Sequence, residues 1–93
     1  MSETNTETRD VTLRYFAWLR EKTGVSSEVV TLGPNIATVQ DLIDWLKSRG
    51  PEFEAAFASP GTVRVALDRV HAKPAAALVT AREIAFFPPV TGG

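Results

Sequence analysis

The chain contains no cysteine and a single histidine among its 93 residues. The absence of cysteine excludes disulfides, cysteine-based zinc sites, a thiol nucleophile and a persulfide carrier. Any sulfur that this protein handles is therefore not carried on a side-chain thiol. One histidine also excludes a site built from several histidines, so the sequence predicts no metal site.

An excess of charge of one sign and long apolar runs are also missing. Ten Lys and Arg residues oppose eleven Asp and Glu residues, so the formal net charge is −1, and no basic block stands out. Nucleic-acid-binding proteins usually present a basic face, so we expect no nucleic-acid partner. No run approaches the ~20 apolar residues of a membrane span, and the N-terminus lacks the apolar region of a secretory signal. We therefore expect no membrane association and a cytoplasmic location.

The length suits one domain with a modest core and little room for an internal catalytic cavity. Residues 1–10 are polar and are predicted to form a disordered leader. Residues 11–87 carry regular apolar patterns and are predicted to form the domain. Residues 88–93 are predicted to form a flexible C-terminal tail.

Five segments alternate apolar and polar residues as β-strands do. They are residues 11–17, 28–32, 62–68, 70–73 and 82–87. In the first segment, Phe16 falls on the face opposite Tyr15, where an aromatic side chain is unexpected. In the last segment, Phe87 falls on the face opposite Phe86. Both Phe16 and Phe87 are therefore predicted to point away from the core.

The strongest helix pattern covers residues 38–49. Thr38 is a suitable N-cap, and Asp41 complements the positive end of the helix dipole. Apolar residues recur at the i, i+3, i+4, i+7 spacing of a core-facing helix. Gly50 and Pro51 are predicted to end it.

Two shorter helical segments are expected at residues 17–22 and 51–58. The predicted order is strand, short helix, strand, long helix, helical turn and three strands. One amphipathic helix on one face of a mixed sheet buries the apolar surfaces of both. The sequence therefore predicts an α+β fold of the β-grasp, or ubiquitin-like, type.

The end of the chain carries the most specific signal. Residues 83–93, EIAFFPPVTGG, closely resemble the C-terminus of the small, sulfur-carrying subunit of molybdopterin synthase. Residues 11–17, VTLRYFA, resemble the first strand of that family, and residues 65–68, VALD, its third strand. The resemblance covers about residues 11–93, and it implies a β-grasp domain with a tail that carries sulfur.

The resemblance also implies a chemistry for the α-carboxylate of Gly93. As an anion at neutral pH it resists nucleophilic attack, so it must first be activated. In the family, an adenylating enzyme of the ubiquitin-activating type does this with ATP and Mg²⁺, and a sulfur donor then displaces AMP to leave a thiocarboxylate. The large synthase subunit would supply the acid–base residues that pass sulfur to a pyranopterin precursor. This chain would bind no cofactor and act as a co-substrate, without catalytic side chains of its own.

The tail is predicted to serve this chemistry along its whole length. It comprises Pro88, Pro89, Val90, Thr91, Gly92 and Gly93. The two prolines favour an extended segment, and the two glycines let the backbone pass through a narrow channel. Six residues reach at most ~20 Å, enough to enter a partner's buried site while the domain stays outside.

Three side chains outside the tail are predicted to contact partners. Phe16 and Phe87 point outward by strand parity, and their family equivalents contact partners. His71 lies in a predicted hairpin that can border the same surface. The alternatives are a second core beneath the hairpin for Phe16 and Phe87, and a solvated strand position for His71.

Other functions remain open at this point. The chain could carry sulfur for thiamine, cysteine or tRNA thiolation, because those carriers share the Gly-Gly end and the activation step. It could be a ubiquitin-like modifier joined to lysines of target proteins. It could also be an interaction domain whose tail has no role. The run Phe-Phe-Pro-Pro-Val-Thr favours the molybdopterin branch.

Overall fold

A computed structural model of the chain describes residues 8–58, 62–78 and 81–89. Its elements follow in the predicted order. They are β1 (Arg9–Tyr15), α1 (Trp18–Thr23), β2 (Ser27–Leu32), α2 (Val39–Lys47), α3 (Pro51–Ala56), β3 (Arg64–Leu67), β4 (Val70–Ala72) and β5 (Glu83–Phe87). None of the helices in these ranges is long and apolar enough to cross a membrane.

The five strands form one mixed sheet in the order β2-β1-β5-β3-β4. β1 and β5 pair in parallel, whereas every other neighbouring pair is antiparallel. The first and last strands of the domain therefore lie side by side inside the sheet, and the segments between them, α2 included, make the crossover. This is the β-grasp arrangement, so the predicted α+β fold is confirmed.

The core lies between the helices and one face of the sheet, here called the inner face. Val11, Leu13 and Tyr15 of β1 are almost completely buried there, as their alternation predicted. Leu42 and Leu46 of α2 are fully buried on the same core. Each such aliphatic side chain contributes about 1.5–3 kcal/mol on burial, so this packing sets the position of the sheet.

Helix α2 begins as predicted and ends early. The Asp41 N–H donates to the Thr38 hydroxyl, and the Asp41 carboxylate accepts from the Thr38 N–H, both at 3.1 Å. This capping box satisfies two free N–H groups. The helix ends at Lys47 rather than residue 49, since Ser48 and Arg49 donate their N–H groups to carbonyls three residues back and the Ser48 hydroxyl also donates to the Trp45 carbonyl at 2.6 Å.

Pro51 has both of the roles that the sequence predicts. It does not only stop α2; it occupies the first turn of α3. A proline is favourable there because the N–H that it lacks would have no partner within the helix.

The first strand is longer at its start than predicted, since β1 begins at Arg9. Asp10 pairs with Thr31 of β2, and the Thr31 hydroxyl donates to the Asp10 carboxylate at 2.7 Å. Polar cross-strand pairs of this kind stabilise an exposed sheet face. Two residues of the predicted leader therefore belong to the sheet, and residues 1–7 lie outside the described residues.

Candidate functional site

The face of the sheet opposite the helices, here called the outer face, carries the predicted partner residues. The register places Ala85 of β5 between Arg14 of β1 and Ala66 of β3, and Ala66 opposite His71 of β4. The side chains of these paired residues share the outer face. Ala66 is buried yet lies outside the main core cluster. A short row of small side chains thus crosses the middle of the outer face.

Phe87 and His71 contact each other on this face. Their ring centroids are 5.3 Å apart with an interplanar angle of 64°, an edge-to-face arrangement. Phe87 is half-buried, while its neighbour Phe86 is fully buried on the inner face. Strand parity therefore predicted the direction of Phe87, and the fold brings His71 against it.

Phe16 lies at the same end of the sheet. Its N–H donates to the carbonyl of Phe86 at 3.1 Å, which extends the β1–β5 pairing by one residue. The ring is 40% exposed, and the Arg14 guanidinium stands over it at 5.5 Å from the centroid. We call Phe16, His71 and Phe87 the outer patch.

The outer patch does not form a second core in the described part of the chain. The β3–β4 hairpin continues the sheet beside β5 and does not fold over Phe16. An exposed aromatic group of this kind is typical of interaction surfaces. The role of the three residues in partner binding stays a prediction.

The tail leaves the domain next to the outer patch. Phe87 is the last residue of β5, and β5 lies between β1 and β3 in the interior of the sheet. Pro88 and Pro89 follow and are half-buried. Val90, Thr91, Gly92 and Gly93 lie outside the described residues, so the predicted tail is described here only at its root.

Two polar arrangements that the sequence did not predict hold β5, one near its end and the other at its beginning. The first is a cluster around Tyr15 and Glu28. The Tyr15 hydroxyl donates to Glu28 at 2.8 Å, and Arg49 donates to both carboxylate oxygens of Glu28 at 2.8 and 3.0 Å. The Arg49 guanidinium also stacks over Trp45 and Phe53, at 5.3 and 4.7 Å. We call Tyr15, Glu28 and Arg49 the inner clamp.

The electrostatics of the inner clamp follow from burial and pairing. Burial raises the pKa of the Tyr15 hydroxyl far above its ordinary value, and the bond to Glu28 raises it further. The bidentate Arg49 holds the pKa of Glu28 below its ordinary value. Tyr15 also stacks on Phe86 with centroids 5.6 Å apart. The inner clamp therefore holds the residue directly before Phe87.

The second arrangement fixes the beginning of β5. The Asp68 carboxylate accepts the backbone N–H groups of Arg82 and Glu83 at 3.0 and 2.9 Å, and the Asp68 N–H donates to the Glu83 carbonyl at 2.8 Å. The N–H of Glu83, followed by that of Arg82, holds the pKa of Asp68 below its ordinary value. The sequence predicts Asp68 only as the last residue of a strand over residues 62–68, and no local pattern indicates its partners at the start of β5.

Catalytic side chains are scarce around the patch. His71 is the one member of the outer patch with an ionisable side chain. In the described ranges, no three His, Cys, Asp or Glu side chains cluster in a way that could hold a metal ion. The arrangement is suited to docking a partner and presenting a tail.

Comparison with known proteins places the chain among small β-grasp proteins. The model of the ThiS family matches residues 13–93, which is most of the domain and the whole tail. No curated protein matches the chain significantly.

Solved structures show the same likeness. SAMP1 from Haloferax volcanii is 28% identical with a TM-score of 0.72, and the alignment covers 91% of this chain and 100% of that one. A Pyrococcus furiosus protein assigned as subunit 1 of a molybdopterin converting factor is 30% identical with a TM-score of 0.67, covering 87% and 98%. The Haloferax volcanii protein HVO 2177 is 24% identical with a TM-score of 0.74, covering 100% and 94%, and supports the fold alone.

Proposed function

The chain belongs to the ThiS family of ubiquitin-like β-grasp proteins, and from this premise we propose that it carries sulfur for molybdenum cofactor biosynthesis. In this role it is the small subunit of molybdopterin synthase. The observation that carries the proposal is the run EIAFFPPVTGG on this domain, with its last strand ending beside the outer patch. The Pyrococcus furiosus protein assigned to a molybdopterin converting factor supports the choice of pathway.

The proposed reaction takes place at the carboxylate of Gly93. A carboxylate oxygen attacks the α-phosphorus of ATP on an adenylating partner that uses Mg²⁺, and pyrophosphate leaves. A donor that supplies sulfide then attacks the acyl carbon, AMP leaves with the bonding electrons, and a thiocarboxylate remains. No cysteine is required because the sulfur sits on the end of the backbone.

The residues of this chain bind and position; they do not transfer protons to the substrate. The outer patch docks first on the adenylating partner and then on the large synthase subunit, while the inner clamp and Asp68 hold β5 in place. General acid–base groups and the pterin pocket belong to the large subunit, to which the tail delivers sulfur. We also propose a cytoplasmic location for the chain, together with these partners.

The test is the intact mass of the chain after incubation with ATP, Mg²⁺, its adenylating enzyme and sulfide. We expect a gain equal to one oxygen-to-sulfur exchange, and conversion of the pterin precursor when the large subunit is added. The control lacks Gly93. It should unfold at the same denaturant concentration as the full chain, because removing one terminal glycine takes nothing from the core, but it should carry no sulfur. Precursor conversion by the truncated chain would refute the proposal.

A second candidate function is covalent attachment to proteins. The name SAMP1 stands for small archaeal modifier protein 1. The similarity of this chain to SAMP1 over the full length of that protein therefore favours covalent attachment. The same activated C-terminus would then form an amide with a lysine of a target. Incubation with the adenylating enzyme and a cell extract separates the two: heavier protein adducts indicate a modifier, and thiocarboxylate without adducts indicates a carrier.

Carriers for thiamine, cysteine or tRNA thiolation remain further alternatives within the sulfur-carrying group. They share the activation step, so the mass measurement does not distinguish them. Reconstitution with the large synthase subunit does, because only a molybdopterin carrier should convert the pterin precursor.

A further inference from the structure

The edge of the sheet formed by β4 has no neighbouring strand in the described ranges. Asp68 and Arg69 join β3 to β4 with φ values of 49° and 73°, as in a type I′ hairpin turn. The residues that flank such a turn, Leu67 and Val70, exchange both backbone hydrogen bonds. The next residue, His71, therefore directs its N–H and C=O away from β3, where they can pair with an added strand.

An apolar groove of about 530 Å³ lies against this edge. Its aliphatic lining comes from Leu67, Val70 and Ala72 of the hairpin, and from Ala75 and Ala76 of the turn that follows. Val70 is 67% exposed. The exposed Val70 and the groove together form an apolar surface at this edge, and an exposed apolar patch is typical of interaction sites.

The charges around the groove are positive. Arg69 precedes β4, Lys73 follows it and lines the groove, and neither side chain has an ion-pair partner in the described part of the chain. Among the described residues, no carboxylate lines the groove. The carboxylate nearest in sequence, that of Asp68, is occupied by two backbone N–H groups of β5 and the residue before it. An acidic ligand would therefore meet attraction without repulsion from the lining.

We propose that the β4 edge and its groove bind an extended peptide segment of a partner protein. The segment is aliphatic at alternate positions, acidic on both flanks, and added to the sheet as a further strand. The backbone of His71 hydrogen-bonds it, its alternate side chains enter the groove, and its acidic flanks pair with Arg69 and Lys73. Val70 and Ala72 face the inner side of the sheet, whereas Phe16 and Phe87 face the outer side, and His71 belongs to both surfaces because it lines the groove and contacts Phe87.

The opposite edge of the sheet provides a comparison within the same molecule. Val29 of β2 is 66% exposed, almost the same as Val70. Its surroundings differ, because Asp10 of the adjacent β1 lies beside Thr31 of β2, and the Glu28 that precedes Val29 is already paired with Arg49. An acidic strand should therefore choose the β4 edge, and Val29 supplies a matched control.

The experiment follows the backbone amide NMR signals of the full chain during titration with the peptide EEVTVTVEE. We expect shifts confined to residues 70–73 and to Ala75 and Ala76, and affinity that falls as salt is added. Val70→Glu should weaken binding by at least about tenfold, since it places a carboxylate in the groove. Val29→Glu should bind as the unmodified chain does, and the peptide KKVTVTVKK should bind more weakly.

Several results would overturn the proposal. These are no shifts at about 1 mM peptide, shifts centred on β2 or on Phe16 and Phe87, or equal losses in the two valine variants. Dimerisation in sedimentation that Val70→Glu abolishes would also overturn it, because a second copy would then occupy the edge. If Val70→Glu does not give the dispersed spectrum of a folded chain, Lys73→Glu takes its place and should weaken EEVTVTVEE while strengthening KKVTVTVKK.

Discussion

Phe87 links the domain to the tail, and its environment explains why it suits a binding role. Its ring is half-buried and held edge-to-face by His71, while the adjacent Phe86 is locked in the core by Tyr15 and Phe57. A ring already held in one orientation loses little freedom when a partner covers it. The position that begins the tail is therefore also a preformed contact.

We expect Phe87→Ala to weaken binding to both proposed partners by about 1–3 kcal/mol, the usual cost of removing an aromatic anchor. Calorimetric titration with the large synthase subunit and with the adenylating enzyme measures this. Val29→Ala is the control, since that valine lies at the far edge of the sheet and should leave both affinities unchanged. If Phe87→Ala leaves the affinities for both partners unchanged, Phe87 is not part of the partner-binding surface.

Asp68 makes the stability of the chain depend on pH. Its pKa is lower in the folded chain than in the unfolded chain, where it is about 3.9. Its contribution is therefore fully present above the unfolded pKa and is lost as the pH falls through the folded pKa. An asparagine side chain at this position would keep an oxygen acceptor and tolerate the positive φ, but would lose the charge.

Asp68→Asn should therefore lower the free energy of unfolding near neutral pH, and its difference from the unmodified chain should shrink as the pH falls below about 4. Urea titrations at a series of pH values measure this. The control is Asp44→Asn, on α2, where the carboxylate accepts a hydrogen bond from the exposed Gln40 side chain. A difference that stays constant down to the lowest pH would contradict the role assigned to the Asp68 carboxylate.

The helices and strands meet at the inner clamp. Arg49 follows the end of α2, Glu28 lies on β2 and Tyr15 on β1, so the clamp joins the crossover to two strands. Its contacts also involve Arg49, which the sequence placed inside the helix although α2 ends at Lys47. The residues up to 49 fit a helix, but an arginine that leaves the helix reaches the carboxylate and two aromatic rings.

Arg49→Lys should destabilise the domain by about 1–2 kcal/mol, because a lysine ammonium neither pairs with both Glu28 oxygens nor stacks flat on the rings. Chemical denaturation measures the change. Arg20→Lys on α1 is the control, because Arg20 is exposed and its substitution should have little effect. Equal stability of the two variants would show that the inner clamp contributes only an exposed ion pair.

The whole domain separates its tasks between faces and edges of one sheet. The inner face carries the core, the outer face carries the aromatic patch, and β5 ends in the interior strand position from which the tail leaves. A central strand is held from both sides, so it gives the tail a rigid base. The β4 edge, with its groove and cations, is a further exposed surface, and it shares His71 with the outer patch.

Much of this could be predicted from local patterns. Alternation in β1, the helix stripe of α2 and the Thr38 cap depend on residues at most a few positions apart, and the structure confirms all three. The outward direction of Phe16 and Phe87 follows from the same parity. The start of β1 was missed because Arg9 and Asp10 are polar, and their pairing depends on β2, a strand that is distant along the chain.

The amino-acid sequence by itself was enough to establish the β-grasp family, the apolar stripes that are buried and the glycine-terminated end. Each of these features depends on residues that lie close together along the chain. Only the tertiary structure showed that the His71 ring contacts Phe87 and that Arg49 and Tyr15 both hydrogen-bond Glu28. It also showed that the Asp68 carboxylate accepts hydrogen bonds at the start of β5. These hydrogen bonds join residues 13 to 21 positions apart along the chain. Whether such residues meet depends on how helices and strands dock, and no local pattern encodes that.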